Sequence, residues 1–240
     1  MLTKAVIGIS AALCFSVSVV AAADDEHELH HHAPAYFHAF RLEAQAGHGQ
    51  DEENQHWDFD GWIGNDFHKL WLRSEGERIG GETEQSEFWA MYSYNVGTFW
   101  DLQAGVRQDT DPRSTSYAAF GVEGLAPYFF ETRAHLFVSD EGDFSARLHQ
   151  ETDILFTQRL ILEPYGEINL FGQDVPELNV GAGFSNAELG FMLRYEITRK
   201  FSPFLDLRYE RTFGETSAIE RSENHRVEDV IGSFGLKVLF

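Results

Sequence analysis

From Phe37 onward, apolar and polar residues alternate with a period of two. Asp143 to Ile154 is representative: Asp, Phe, Ser, Ala, Arg, Leu, His, Gln, Glu, Thr, Asp, Ile, with polar or charged side chains at odd positions and mostly apolar ones at even positions. Successive side chains of a strand point to opposite faces, so this is the signature of a strand with two unlike faces, and helical spacing does not fit it. The pattern recurs and predicts twelve strands, near 37–46, 55–64, 67–78, 83–95, 98–108, 115–125, 127–139, 143–156, 158–171, 185–198, 201–213 and 226–240. Each is about as long as a tilted strand needs to be to cross a bilayer.

The connections alternate as well. Short turns fall at Asn65-Asp66, Val96-Gly97, Ala126-Pro127, Thr157 and Arg199-Lys200. Longer polar connections fall at Gly47–Asn54, Gly76–Glu82, Asp109–Ser114, Asp140–Gly142, Gly172–Phe184 and Gly214–His225. Short and long connections then lie at opposite ends of the strands, which describes an all-β fold: a twelve-stranded antiparallel up-and-down outer-membrane β-barrel with both termini in the periplasm.

Parity assigns the faces. Between 187 and 197 the odd residues are Ala187, Leu189, Phe191, Leu193, Tyr195 and Ile197, and the even ones include Glu188, Met192, Arg194 and Glu196. A charge facing lipid at mid-strand costs up to about 2–4 kcal/mol, so the even set faces the lumen. The same parity puts Asp206, Arg208 and Glu210 inside and Leu205, Leu207 and Tyr209 outside. Tyr128, Phe130, Phe201 and Phe240 are placed for an aromatic girdle. The terminal "SFGLKVLF" alternates outward Phe234, Leu236, Val238 and Phe240 and ends on an aromatic, as a last lipid-facing strand would. Pro164 falls mid-strand and predicts a bulge or bend there, because proline has no N–H for the ladder. A soluble sandwich would show the same period; the terminal aromatic, the alternating connections and the leader described next favour the membrane.

Residues 1–23 read as a signal peptide, with Lys4 in the n-region, an apolar run from Ala5 to Val20, and Ala21-Ala22-Ala23 for cleavage. The apolar run is short for a spanning helix and is followed at once by Asp24-Asp25-Glu26. Residues 24–35 then form a short His- and acid-rich periplasmic tail, and 36–240 the barrel. The one cysteine, Cys14, lies inside the leader, which excludes disulfides, thiolate metal sites and cysteine nucleophiles from the mature chain. A formal charge of −21 excludes nucleic acid as a partner, while 21 phenylalanines are too many for a disordered acidic chain.

Metal chemistry is the most promising use of the remaining residues. "DDEHELHHH" holds His27, His30, His31 and His32, a mobile tract able to bind divalent metal weakly. His135 and His149 share a parity and lie at similar distances from the turn near Glu141-Gly142, so they should be cross-strand neighbours, directly opposite or diagonal. Met91 and Met192 also point inward. Imidazole with thioether suits copper; imidazole with carboxylate also suits zinc or nickel. Such histidines also occur as ordinary filling of a polar interior. An Asp/His base could be assembled from the same residues, but no serine sits in a nucleophile-elbow context, and a non-enzymatic barrel is expected. Inward Arg73, Arg107, Arg133, Arg147, Arg159, Arg194 and Arg208 should pair with the inward carboxylates and constrict the lumen.

The blocks "GWIGNDFHKLWLRSEGE" (61–77), "FWDLQAGVRQD" (99–109), "GVEGLAPYFFE" (121–131), "TQRLILEP" (157–164), "NLFG" (169–172), "AELGFMLRYEITRKFSPF" (187–204) and "ERTFG" (210–214) resemble the copper resistance protein B family. The resemblance runs from about Trp57 to the C-terminus. It implies a twelve-stranded outer-membrane barrel with a role in copper tolerance; the expectation drawn is a barrel that binds copper ions and passes them across the membrane or sequesters them there, with periplasmic copper-handling proteins as candidate partners beside the lipid. Many members carry a long Met- and His-rich segment before the barrel; here that segment is short and free of methionine, which points away from Cu(I) collection by the tail. His135 and His149 are not the family's usual residues at those positions. The alternative is a narrow general cation or solute channel with incidental histidines.

Overall fold

The computed structural model describes residues 36–49, 52–222 and 226–240; the leader and the His-rich tail lie outside the described residues. The described strands are β1 (Phe37–His48), β2 (Glu53–Gly64), β3 (His68–Ile79), β4 (Glu82–Asn95), β5 (Trp100–Asp111), β6 (Thr115–Ala126), β7 (Phe130–Ser139), β8 (Phe144–Glu151, resuming at Ile154–Leu155), β9 (Leu160–Phe171), β10 (Gly183–Tyr195), β11 (Phe201–Thr212) and β12 (Glu228–Leu239). Each pairs antiparallel with the next, and β1 closes the sheet on β12 from Arg41↔Leu239 to His48↔Gly232. Among the described residues this is a closed twelve-stranded up-and-down barrel, and no helix is long and apolar enough to cross a membrane.

The two faces follow the parity of the sequence. Leu205 and Leu207 are 59% and 55% exposed on the outer surface, whereas Asp206 and Arg208, which alternate with them, are each 4% exposed inside. An apolar exterior around a charged interior inverts a soluble barrel and fits a hydrocarbon surround. Tyr128 stands at the rim that carries the termini, 87% exposed, as a girdle residue would. It belongs, however, to a single 3₁₀ turn over Pro127–Phe129 rather than to the strand expected from 127. Tyr128 and Phe129 both take left-handed φ values, 67° and 64°, which reverse the chain and delay β7 to Phe130.

Three further departures have local causes. The bulge or bend expected at Pro164 is not on Pro164. It is the neighbouring strand that breaks, at Thr152–Asp153, between the pairs Tyr165↔Glu151 and Leu162↔Ile154, opposite the residue that has no N–H to offer. The register shift within β9 comes later, between Asn169 and Leu170. At the end away from the termini, the connection expected over Gly76–Glu82 shrinks to Gly80-Gly81, since two glycines with φ of 59° and 94° close a tight hairpin. The stretch expected as a loop at Gly214–His225 instead contains a helix, α1 (Gly214–Ser222). Its Thr216 and Ser217 are buried against the β9–β10 connection; Gly181 N donates to Thr216 Oγ1 at 3.0 Å. The two longest connections thus lean on one another over the loop end of the barrel.

Candidate functional site

The interior combines an apolar cluster with an ionic network. On the wall formed by β3 to β7, Trp71, Trp89, Met91, Tyr117, Ala119 and Phe137 pack into an apolar cluster inside the barrel. Glycines on the facing strands make room for it. A Cβ at Gly105 would lie 2.9 Å from Met91 Sδ, and one at Gly121 would lie 2.3 Å from the His135 ring. Three guanidiniums cover Trp89: Arg73, Arg107 and Arg147 lie 6.0, 5.6 and 5.6 Å from its ring centroid. Such contacts are favourable because the ring face is negative.

Around and beyond this cluster, on β3 to β7 as well as on the other strands, the interior is ionic. Arg73 pairs with Asp60 at 2.9 Å and with Glu123. Arg107 pairs with Glu87 at 2.8 Å and Asp109 at 2.6 Å. Arg133 meets Glu151 at 3.3 Å, Arg194 holds Glu163 and Asp153, and Arg208 holds Glu77 at 2.7 Å and Glu210 at 2.6 Å. Alternation also places three further cations inside: Arg41, within 3.5–3.7 Å of Glu43, Asp58 and Glu151; Lys69, 2.6 Å from Asp101; and Lys237, 2.9 Å from Glu43. Arg159 departs from expectation: it lies exposed in the turn before β9, where the strand has not yet begun.

This lattice cuts the lumen into chambers. A central cavity of about 120 Å³ is lined by Glu43, His56, Asp58, His149, Glu163, Tyr165 and Met192, among others. A loop-side chamber of about 480 Å³ opens beneath α1 and the β9–β10 connection, and a terminus-side chamber of about 280 Å³ lies near Leu125 and Thr132. All exceed the roughly 10–15 Å³ that one water needs. Eleven carboxylates against three guanidiniums line the loop-side chamber, so its field favours cations. Arg147, Glu75 and Glu167 border both it and the central cavity; Arg41, Arg133 and Glu151 border the central and terminus-side cavities.

The candidate ligands are sorted by this geometry. His135 and His149 are diagonal, not opposite: His135 faces Arg147 and His149 faces Arg133 across the β7–β8 pair. His135 is buried in the aromatic wall, edge-on to Trp89, with Nε2 2.8 Å from Gln103 Oε1. His149 lies flat on Tyr165 and between two carboxylates, 3.0 Å from Glu151 Oε2 and 3.4 Å from Glu167 Oε2. Met91 is fully buried in the apolar cluster, while Met192 lines the central cavity between its cross-strand neighbours Glu163 and Asp206. His56, which the sequence reading passed over, borders both the central and the loop-side chamber. It shares the inward parity of Asp58 and Asp60, so the signal was present. His27, His30, His31 and His32 lie outside the described residues. Among the described residues, no group of three or more His, Cys, Asp or Glu side chains is arranged to hold a metal ion.

The closed barrel, with its apolar exterior and its charged, chambered lumen, has the architecture of outer-membrane porins. It superposes on the NanC porin with a TM-score of 0.58 at 11% identity, covering 82% of this chain and 98% of that one. The KdgM porin gives a TM-score of 0.54 at 8% identity, covering 83% and 99%. A family described as Copper resistance protein B precursor matches residues 35–240, and the chain belongs to that copper resistance family. A Copper resistance protein B homolog of Pseudomonas syringae pv. tomato is 39% identical over 89% of this chain and 73% of its own length. Copper resistance protein B of Escherichia coli is 42% identical over 78% of this chain; the match spans 64% of that relative, less than two thirds of its length.

Proposed function

We propose that the barrel serves copper resistance by binding copper ions in its central chamber and passing them across the outer membrane or sequestering them there, without catalysis. The observation that carries this reading is the meeting of His56, His149 and Met192 on one cavity whose approach from the loop side is lined by an excess of carboxylates. Carboxylates raise the local concentration of cations, and sparse imidazole and thioether ligands hold a copper ion briefly enough to release it. A solved structure of the KdgM porin (TM-score 0.53) is in complex with disordered oligogalacturonate, a polyanion. The acidic lumen here argues against carrying that ligand over. In this reading the N-terminal tail hangs in the periplasm, where His27, His30, His31 and His32 collect divalent metal weakly and exchange it with periplasmic copper-handling proteins.

Copper titration of the purified full chain with zinc as competitor tests the proposal. His149→Ala and Met192→Ala should each weaken copper binding, and His135→Ala should leave the affinity unchanged while lowering stability. Equal weakening by His135→Ala would reject the assignment of the chamber. A second reading, a narrow general cation channel, is favoured by the lack of a ready-made three-ligand cluster among the described residues. Copper and zinc binding equally weakly, with neither His149→Ala nor Met192→Ala changing either, would select it.

A further inference from the structure

Arg147 is one of the side chains at the boundary between the loop-side chamber and the central one, with His56, Glu188 and Arg208. It projects from β8 and reaches across the lumen to strands on the far wall. Its Nη2 lies 2.9 Å from Glu87 Oε1 on β4, and its Nη1 lies 3.2 Å from Glu87 Oε2 and 3.4 Å from Glu75 Oε2 on β3. Its Nε donates to Asn169 Oδ1 at 3.0 Å and lies 3.3 Å from Glu167 Oε1, both on β9, so opening would also part the Asn169 bond. The contacts fall into a firm set and a loose set. Glu87 is fully buried and is itself held by Arg107 at 2.8 Å, by the Trp89 indole N–H at 3.0 Å and by Gln85 at 2.5 Å. It is a fixed post. Glu75 and Glu167 are the longer contacts, and they are the ones that border both chambers. Bidentate guanidinium–carboxylate pairs are the strong members of such a network, so the firm set should persist when the loose set parts.

We propose that Arg147 is the internal gate of the lumen. Its guanidinium stays on Glu87 and over Trp89 while it releases Glu75 and Glu167, and this exchange joins the two chambers and lets a cation through. The gate rests on the reading of the lumen as a path for cations. A cation arriving from the loop side would compete for Glu75 and Glu167, the carboxylates that Arg147 would be giving up. Closure therefore depends on a tethered positive charge occupying the narrowest point.

Conductance of the full chain in planar bilayers with potassium chloride tests this, with folding checked by heat-dependent mobility on gels. Arg147→Ala should raise single-channel conductance severalfold and shift the reversal potential in a salt gradient toward greater cation preference. Arg147→Lys, which keeps the charge but not the fork, should give a smaller rise. The pair Glu75→Gln with Glu167→Gln removes the charge from the loose contacts, and also from the Glu167 contact with His149, and should also raise conductance; it carries the test if Arg147→Ala does not fold. Arg113→Ala, which removes an exposed pair with Glu141 in the loops, should change nothing. Unchanged conductance in folded Arg147→Ala, or in the double variant where that one fails to fold, overturns the gate. Because potassium carries the current, that result with copper binding intact would leave the proposed function standing. Raised conductance in a barrel that binds no copper would do the reverse.

Discussion

The sharpest test of the interior is Glu87→Gln. Glu87 has no exposed surface and accepts from Arg107, Arg147, the Trp89 indole and Gln85. Glutamine has the same shape but no charge, and it places an amide NH₂ against guanidinium N–H groups, donor against donor. Removing one partner of a buried ion pair costs about 3–5 kcal/mol, because the remaining charge is left uncompensated. Here the two guanidiniums are not abandoned. Arg107 keeps Asp109, with Nε and Nη2 each at 2.6 Å, and Arg147 keeps Glu75 and Glu167. The loss should therefore fall below that range, at about 2–3 kcal/mol. Urea unfolding in phospholipid vesicles, followed by tryptophan emission, measures it; the contact with Trp89 should also shift the folded-state spectrum. The comparison is Glu141→Gln in the exposed pair with Arg113, where a change within about 0.5 kcal/mol is expected. Glu87→Gln matching Glu141→Gln would refute the claim that the ionic network is a connected, buried lattice.

Other expectations follow from the same geometry. Leu205→Arg puts a guanidinium on the lipid face beside inward Asp206 and should cost about 2–4 kcal/mol in the same unfolding assay, against little change in detergent-solubilised secondary structure; a loss near zero would mean the face is not in lipid. Gly121→Ala drives a methyl to 2.3 Å from the His135 ring and 2.5 Å from the Ala134 carbonyl oxygen. It should lower stability by about 1–3 kcal/mol through overpacking and leave copper affinity unaltered, and a large fall in affinity would return His135 to the site. Gly181→Ala would bring a Cβ to 2.4 Å from that of Glu215, which should loosen α1 and expose 214–222 to limited proteolysis; unchanged cleavage would show that α1 is not held by this contact.

Strand number, face assignment and closure were legible because each rests on local alternation, and a one-residue slip would turn a whole charged row into lipid. Leu205 outside and Asp206 inside required no knowledge of any other strand. What alternation does not carry is which inward residues meet across the lumen. His135 and His149 share a parity and a hairpin, yet one is folded over Gly121 into an aromatic wall and the other lies in water-accessible space between Glu151 and Glu167. Their difference is set by Gly121 on the adjacent strand β6 and by Gln103 on β5, residues that alternation does not pair with either histidine. Pro164 was recognised as an irregularity, but its consequence appears in the neighbouring strand, because a missing N–H is felt by the residue that would have accepted it. The helix at 214–222 was hidden by its polar composition, since Ala218 and Ile219 alone give no apolar stripe.

The division of the lumen bears on why charges are there at all. Buried ion pairs are weak evidence for stability, and well-packed apolar residues of similar volume often do as well or better. This chain fills part of its interior that way, with Trp71, Trp89, Met91, Tyr117 and Phe137. Nothing in the geometry of a twelve-stranded barrel prevents the rest of the interior from doing the same, since a barrel of this size lies between those that side chains fill and those that leave an aqueous channel. The ionic network is therefore not explained by folding alone. It lines three chambers, with paired charges at each partition and a surplus of carboxylates at the loop end. An interior built only to hold the barrel shut could have extended the aromatic wall; the proposed role as a path for cations would instead require charges that can change partners.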